Sequence, residues 1–105
     1  MISVIASISI AEGKKEEMRK IYQDFVPLVL KNEPGCIEYE PMLEVETDLP
    51  NQEKSGDEMI TVVEKWKTME DFYNHLKAPH VLDFRKKSEG IRLGVTLKIQ
   101  KPLLE

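Results

Sequence analysis

Regular alternation of apolar and polar residues at both ends of the chain is the feature that most constrains its fold. Near the start, Val4, Ala6 and Ile8 alternate with serines, a pattern typical of a strand with one buried face. Near the end, apolar residues occupy every second position from Ile91 to Ile99. Two such strands must pair within a sheet, and the chain between them must supply the elements that cover the apolar face of that sheet.

The middle of the chain changes between helix and strand periods. Apolar residues from Met18 to Val29 recur every three or four positions, which indicates an amphipathic helix that ends at "NEPG". The segments "CIEYEPMLEVE" and "EMITVVEKW" predict two strands, and Pro41 places the first at a sheet edge or in a bulge. Thr68 begins a second helix, which Pro79 breaks and restarts.

This order of elements predicts a ferredoxin-like α+β sandwich formed by one domain, residues 1–105. Four antiparallel strands form the sheet, and the helices cover one of its faces. The other face carries apolar residues among polar ones, namely Ile5, Met42, Met59 and Val63. We therefore expect a homodimer that packs through this open sheet face.

Charge and composition exclude several classes of protein. The net charge is -4 and basic residues alternate with acidic ones, so we expect no nucleic-acid partner. Cys36 is the one cysteine, so no disulfide can form within the chain, and a reducing compartment fits. No apolar run is long enough for a spanning helix, and the chain is predicted to be soluble and cytoplasmic, without membrane contact.

One short stretch, residues 61 to 84, combines a glutamate, a tryptophan and two histidines. If Ile60 and Val62 face the helices, Glu64 and Trp66 do so as well, because alternate residues of a strand share a face. A buried carboxylate needs a partner, and the two histidines on the covering helices, His75 and His80, are the candidates. An imidazole held by a carboxylate can exchange a proton near neutral pH.

Each of these residues also has a simpler structural interpretation. Trp66 could be ordinary core, Glu64 could bind a backbone amide, and either histidine could cap a helix end near Pro79. The two histidines, even with Asp83, form a poor metal site, and we predict none.

The segments "NEPGCIEYE" and "VVEKWKTMEDFYNHLKAPHVLDF" resemble the antibiotic biosynthesis monooxygenase family, which includes small quinol monooxygenases. The matching residues, in order, are Cys36, Glu64, Trp66, His75, Leu76, Pro79, His80 and Phe84. The resemblance implies a dimeric ferredoxin-like α/β-barrel with a pocket between sheet and helices in each subunit. It also implies oxidation of phenols or hydroquinones by O2 without a metal, flavin or other cofactor.

In this hypothesis His75 is the base that removes the phenolic proton, and Glu64 orients it. The residues expected to bind a small aromatic substrate are Trp66, Tyr39, Phe72, His80 and Phe84, with His80 at the edge of the pocket or at the helix junction.

Two other functions stay open: a proton-transfer isomerase acting on a small carbonyl or sugar-derived substrate, and a ligand-binding dimer without catalysis. The haem-degrading branch of the family is excluded, because the asparagine, tryptophan and histidine that it uses are missing from the corresponding positions.

Overall fold

The computed structural model describes residues 1–104 of the chain. Its elements are β1 (Ile2–Ile10), α1 (Lys15–Asn32), β2 (Cys36–Met42), β3 (Met59–Trp66), α2 (Met69–Leu76), α3 (Pro79–Lys87) and β4 (Arg92–Gln100). This is the order that the sequence predicts, and Pro79 is the first residue of α3, where its missing N–H is tolerated.

The strands form one antiparallel sheet with the order β2-β3-β1-β4. On β1, alternate residues from Val4 to Ile10 are buried beneath the helices. On β3, Ile60 and Val62 are buried on the same side, because each pairs with a buried residue of β1. The predicted ferredoxin-like α+β sandwich is confirmed.

Aromatic residues join the helices to one another above the sheet. Phe25 of α1 stacks on Phe84 of α3 with ring centroids 4.0 Å apart, and Tyr22 contacts the same Phe84 ring at 5.1 Å. Burial of a side chain of this size stabilises the fold by about 1.5–3 kcal/mol. The aromatic layer therefore fixes α3, and with it the position of His80.

Pro41 lies on β2, which is an edge strand of the sheet. The pairing of β2 with β3 shifts between Cys36 and Glu38, so the strand is both at an edge and irregular. An edge strand tolerates proline because one side of it makes no ladder hydrogen bonds. The prediction from Pro41 is confirmed.

The turn between α1 and β2 packs tightly against the start of α2. A Cβ atom on Gly35 would lie 2.2 Å from the Asp71 carboxyl carbon, so no larger residue fits without movement. The Gly35 carbonyl also accepts the Lys67 N–H at 2.9 Å. Thr68 caps α2, since its hydroxyl oxygen accepts the Asp71 N–H at 3.1 Å. These contacts fix the end of α1 relative to α2.

Strand β4 differs from the expectation of a half-buried strand. Its register places Val95, Leu97 and Ile99 opposite buried residues of β1, so their side chains point to the helix side of the sheet. The helices pack mainly over β2 and β3, and these three residues are 42–46% exposed. On the opposite face, the paired Ile5 and Val63 are half-buried.

Candidate active site

A cavity of about 280 Å³ lies between the sheet and the helices. Five residues singled out by the sequence line it: Tyr39, Glu64, Phe72, His75 and Phe84. Tyr22, Phe25, Arg85 and Arg92 complete much of the wall, together with aliphatic residues of β1 and β4. The cavity is thus mainly apolar, lined by aromatic and aliphatic side chains with a few polar groups, which is typical of a small-molecule site.

Glu64 is buried on β3 and faces the helices, as strand alternation requires. Its Oε1 accepts the indole N–H of Trp66 at 3.0 Å. Burial raises the pKa of Glu64 to about 7, against the opposing effect of the Trp66 hydrogen bond, and the charge of Glu33 adds to the increase. Near neutral pH, Glu64 therefore exists both as a neutral acid and as a carboxylate.

His75 and His80 bind a glutamate that the sequence analysis did not identify. His75 Nδ1 lies 2.9 and 3.1 Å from the two carboxylate oxygens of Glu33, and His80 Nε2 lies 2.6 Å from Oε2. Within residues 1–104, the partner of Glu64 is Trp66 rather than either histidine. The expectation that Glu64 binds and orients the histidines is therefore wrong. Both rings instead contact the carboxylate of Glu33, at the end of α1.

The local fold explains how Glu33 reaches both rings. It follows the last residue of α1, and its backbone N–H still donates to the Val29 carbonyl at 3.0 Å. Because Pro34 follows, Glu33 leaves the helical backbone conformation, with φ -121° and ψ 89°. His75 lies in the last turn of α2 and His80 in the first turn of α3, so one carboxylate contacts both.

Glu33 remains ionised in this position. Burial opposes its charge, but hydrogen bonds from His75 and His80 outweigh that effect and hold the pKa of Glu33 below its ordinary value. The side chains of Glu33, His75 and His80 are 11%, 6% and 14% exposed, so the cluster is largely shielded from solvent. These three residues are called the Glu33 cluster below.

Aromatic rings surround the His75 imidazole. Its centroid lies 4.7 Å from that of Trp66, 5.6 Å from Tyr39 and 6.1 Å from Phe72, whose ring is stacked on it. Because Nδ1 faces Glu33, Nε2 is the nitrogen that can act on a molecule in the cavity. A fixed ring with one nitrogen bound to a carboxylate is the arrangement of a general base.

Trp66 and His80 are not among the residues that line this cavity. They line a groove of about 640 Å³ on the outer side of the Glu33 cluster, with Glu33 itself and Asn74. Trp66 supports the cavity wall from behind, through its contacts with His75 and Glu64. The Glu33 cluster therefore separates the inner cavity from the outer groove.

The sequence contains a weak signal for Glu33. An acidic residue at the C-terminal end of a helix is unfavourable for the helix dipole, so its presence there suggests another role.

In residues 1–104, no group of three or more His, Cys, Asp or Glu side chains has a geometry suited to a metal ion. No helix in this part of the chain has the length and hydrophobicity needed to cross a membrane.

Comparison with known proteins identifies relatives of this fold. The family model of antibiotic biosynthesis monooxygenases matches residues 1–87. No curated protein is significantly similar to the chain.

Solved structures have the same architecture. A candidate antibiotic biosynthesis monooxygenase of Caulobacter crescentus CB15 superposes with a TM-score of 0.80 at 19% identity, covering 97% of this chain and 89% of that one. One from Nitrosomonas europaea gives 0.78 at 19% identity and covers 98% and 99%. A conserved protein of Methanosarcina mazei Go1 gives 0.75 at 24% identity and covers 95% and 90%. At these identities the likeness supports the fold alone.

Proposed function

Because the chain belongs to the antibiotic biosynthesis monooxygenase family, we propose that it oxidises a small phenol or hydroquinone with O2, without a metal or flavin. The observation that supports this most is the His75 imidazole, which is bound at Nδ1 by the ionised Glu33 and lines a mainly apolar cavity. Tyr39, Phe72 and Phe84 offer flat apolar surfaces to an aromatic guest.

The first step is removal of the phenolic proton. His75 Nε2 takes this proton, and the Glu33 carboxylate stabilises the imidazolium through the Nδ1–H hydrogen bond. This corrects the earlier hypothesis, in which Glu64 had that role. The resulting phenolate is electron-rich and transfers one electron to O2, and the two radicals combine to form a C–O bond and a peroxide.

Glu64 takes part in the second half of the reaction. Its neutral acid form can protonate the peroxide, and its carboxylate can then remove the hydrogen on the oxidised ring carbon as the O–O bond breaks. The ring gains one oxygen atom and loses two hydrogens to become a quinone. The second oxygen atom of O2 leaves as hydroxide carrying the proton from Glu64 and takes the proton of His75 to become water, so both side chains return to their starting states.

Substrate turnover under labelled oxygen tests this proposal. With a panel of hydroquinones and a metal chelator, we expect one O2 consumed per molecule of substrate. In 18O2, one labelled atom should appear in the quinone and the other in water. Quinone formed without label in the ring would contradict monooxygenation.

A proton-transfer isomerase is the second candidate function. It is favoured by the fact that His75 and Glu64 both line the cavity and that Glu64 has a pKa of about 7, so the site holds two proton-transfer groups. An isomerase would act at the same rate without oxygen, whereas the monooxygenase would stop. A ligand-binding dimer would bind phenols and convert none of them.

A further inference from the structure

The Glu33 cluster joins a buried base to the surface. His75 lines the inner cavity, whereas Glu33 and His80 line the outer groove. Both imidazoles contact the same carboxylate atom, Glu33 Oε2, at 2.9 and 2.6 Å. A change in the charge of one ring therefore changes the electrostatic energy of the other ring.

Charge balance limits how many protons the cluster can hold. The ionised Glu33 is neutralised by one imidazolium, and a second would leave a net positive charge in a largely buried space. The surroundings of His75 are mainly aromatic, from Phe25, Tyr39, Trp66 and Phe72. His80 is the more exposed ring, so it is the better place for the cation at rest.

Other titratable groups face the cluster from neighbouring elements. Glu64 of β3 and Cys36 of β2 are close enough for Glu33 to raise the pKa of each, Tyr39 of β2 contacts His75, and Asp71 of α2 lines the outer groove. A second groove next to His80 is lined by Glu17, Lys20, Asp24, Asp83 and Lys87. These residues contribute charges of both signs near the surface. Arg85 of α3 and Arg92 of β4 line the inner cavity with His75, and their positive charges disfavour a second cation on that ring.

We propose that His80 exchanges a proton with solvent in the opposite sense to His75, so that Glu33 is paired with one imidazolium at every stage. When His75 takes a proton from the substrate, His80 releases one to the groove, and when His75 gives its proton back, His80 takes one up. His80 thus acts through His75 and does not touch the substrate. By carrying the positive charge at rest, it keeps His75 neutral and ready to act as a base. The proposal rests on the proposed function only for the source of the proton.

The test uses 15N NMR of the histidine side chains in the free protein. In the wild type we expect His75 to be neutral with its proton on Nδ1, and His80 to be an imidazolium. In His80→Gln the amide can still donate to Glu33 but carries no charge, so His75 should become the imidazolium at the same pH. His80→Asn repeats the test with a shorter amide. Asn74→Ala alters the same groove and should leave His75 neutral.

A His75 ring whose protonation is the same in wild type and in both His80 variants would overturn the proposal.

A second measurement separates this result from failure of the proposed function. 4-Nitrophenol absorbs differently as a phenol and as a phenolate, so it reports its own ionisation when bound. We expect wild type to bind it as the phenolate while the His80 ring becomes neutral, and His80→Gln, in which His75 is already an imidazolium, to bind the phenolate without a change in the protonation of His75. A bound probe that stays un-ionised in the wild type contradicts the base role of His75, while the free-protein spectra still decide the role of His80.

Discussion

Two glutamates lie in contrasting environments at the candidate site. Glu33 accepts hydrogen bonds from His75 and His80 and remains a carboxylate. Glu64 has one indole N–H as its partner, and burial raises its pKa to about 7. Opposite pKa shifts in neighbouring carboxyl groups commonly mark separate roles. Here they fit a group that positions a base and a group that donates a proton.

Replacement of His75 by alanine should remove the base. We expect turnover of a hydroquinone to fall by about 10²-fold or more, which is the usual contribution of a general base. Circular dichroism and thermal melting should show that the variant is still folded. Tyr73→Ala, at an exposed position of the same helix, is the matched control and should keep its activity. Equal activity of the two variants would exclude His75 as the base.

Glu64 should make the protein less stable as the pH rises. Its folded-state pKa of about 7 exceeds the ordinary 4.5, so between these values the folded state binds more protons than the unfolded state. The free energy of unfolding should therefore fall between about pH 4.5 and 7, by about 3 kcal/mol, and then level off. Urea denaturation of wild type and Glu64→Gln at pH 5 and pH 8 measures this difference. Identical pH dependence in the two proteins would contradict the raised pKa.

Alternation along a strand predicts which way Glu64 points but not what it binds. Residues two apart share a face, so Ile60 and Val62 were sufficient to place Glu64 beneath the helices. Its partner depends on side-chain reach, and Trp66, two residues away, satisfies it. Glu33 is 42 positions from His75 in sequence, and only the fold brings them together. The pairing of the histidines could therefore not be predicted from spacing.

At the scale of the elements, the contact between the α1–β2 turn and α2 determines the geometry of the Glu33 cluster. Gly35→Ala would place a methyl group on the Asp71 side chain, so the turn or the helix must shift. We expect a loss of stability of about 1–3 kcal/mol, as for other overpacked sites. Turnover should also fall, because Glu33 lies two residues before the turn glycine.

Chemical denaturation and steady-state kinetics of Gly35→Ala check both effects. Gly94→Ala is a control in a strand, where the added Cβ would lie 3.1 Å from the flexible Ser9 hydroxyl. Full stability and activity in Gly35→Ala would mean that this contact does not position the site.

Strand β4 shows where prediction by periodicity fails. The alternation from Ile91 to Ile99 correctly predicts a strand with one apolar face, but it cannot tell whether anything covers that face. Coverage depends on where the helices cross the sheet, and here they lie over β2 and β3. An apolar row on an edge strand is a surface that a second chain can cover.

At the scale of the whole molecule, we predict a homodimer that packs through the open sheet face. Sedimentation should give about twice the 12.1 kDa chain mass. Val63→Glu places a charge on that face beside Ile5 and should produce monomers. Leu82→Glu changes an exposed residue of α3 and should leave the dimer intact.

The same measurement distinguishes two modes of assembly. If Leu97→Glu on the helix side of β4 separates the subunits and Val63→Glu does not, the dimer uses the β4 row, and the predicted use of the open face is wrong. A single 12.1 kDa species for the wild type at micromolar concentration would exclude the dimer.

The hydrogen bond between Trp66 and Glu64 gives the protein an internal optical probe. Trp66 is the only tryptophan in the chain, so intrinsic emission excited at the red edge of indole absorption comes from this ring alone. Its N–H donates to Glu64, and the emission should change as that carboxyl gains or loses its proton near pH 7. A fluorescence titration would then follow the protonation of Glu64 without any label, and the transition should vanish in Glu64→Gln. Quenching of the same emission would report a phenol entering the cavity on the other side of His75.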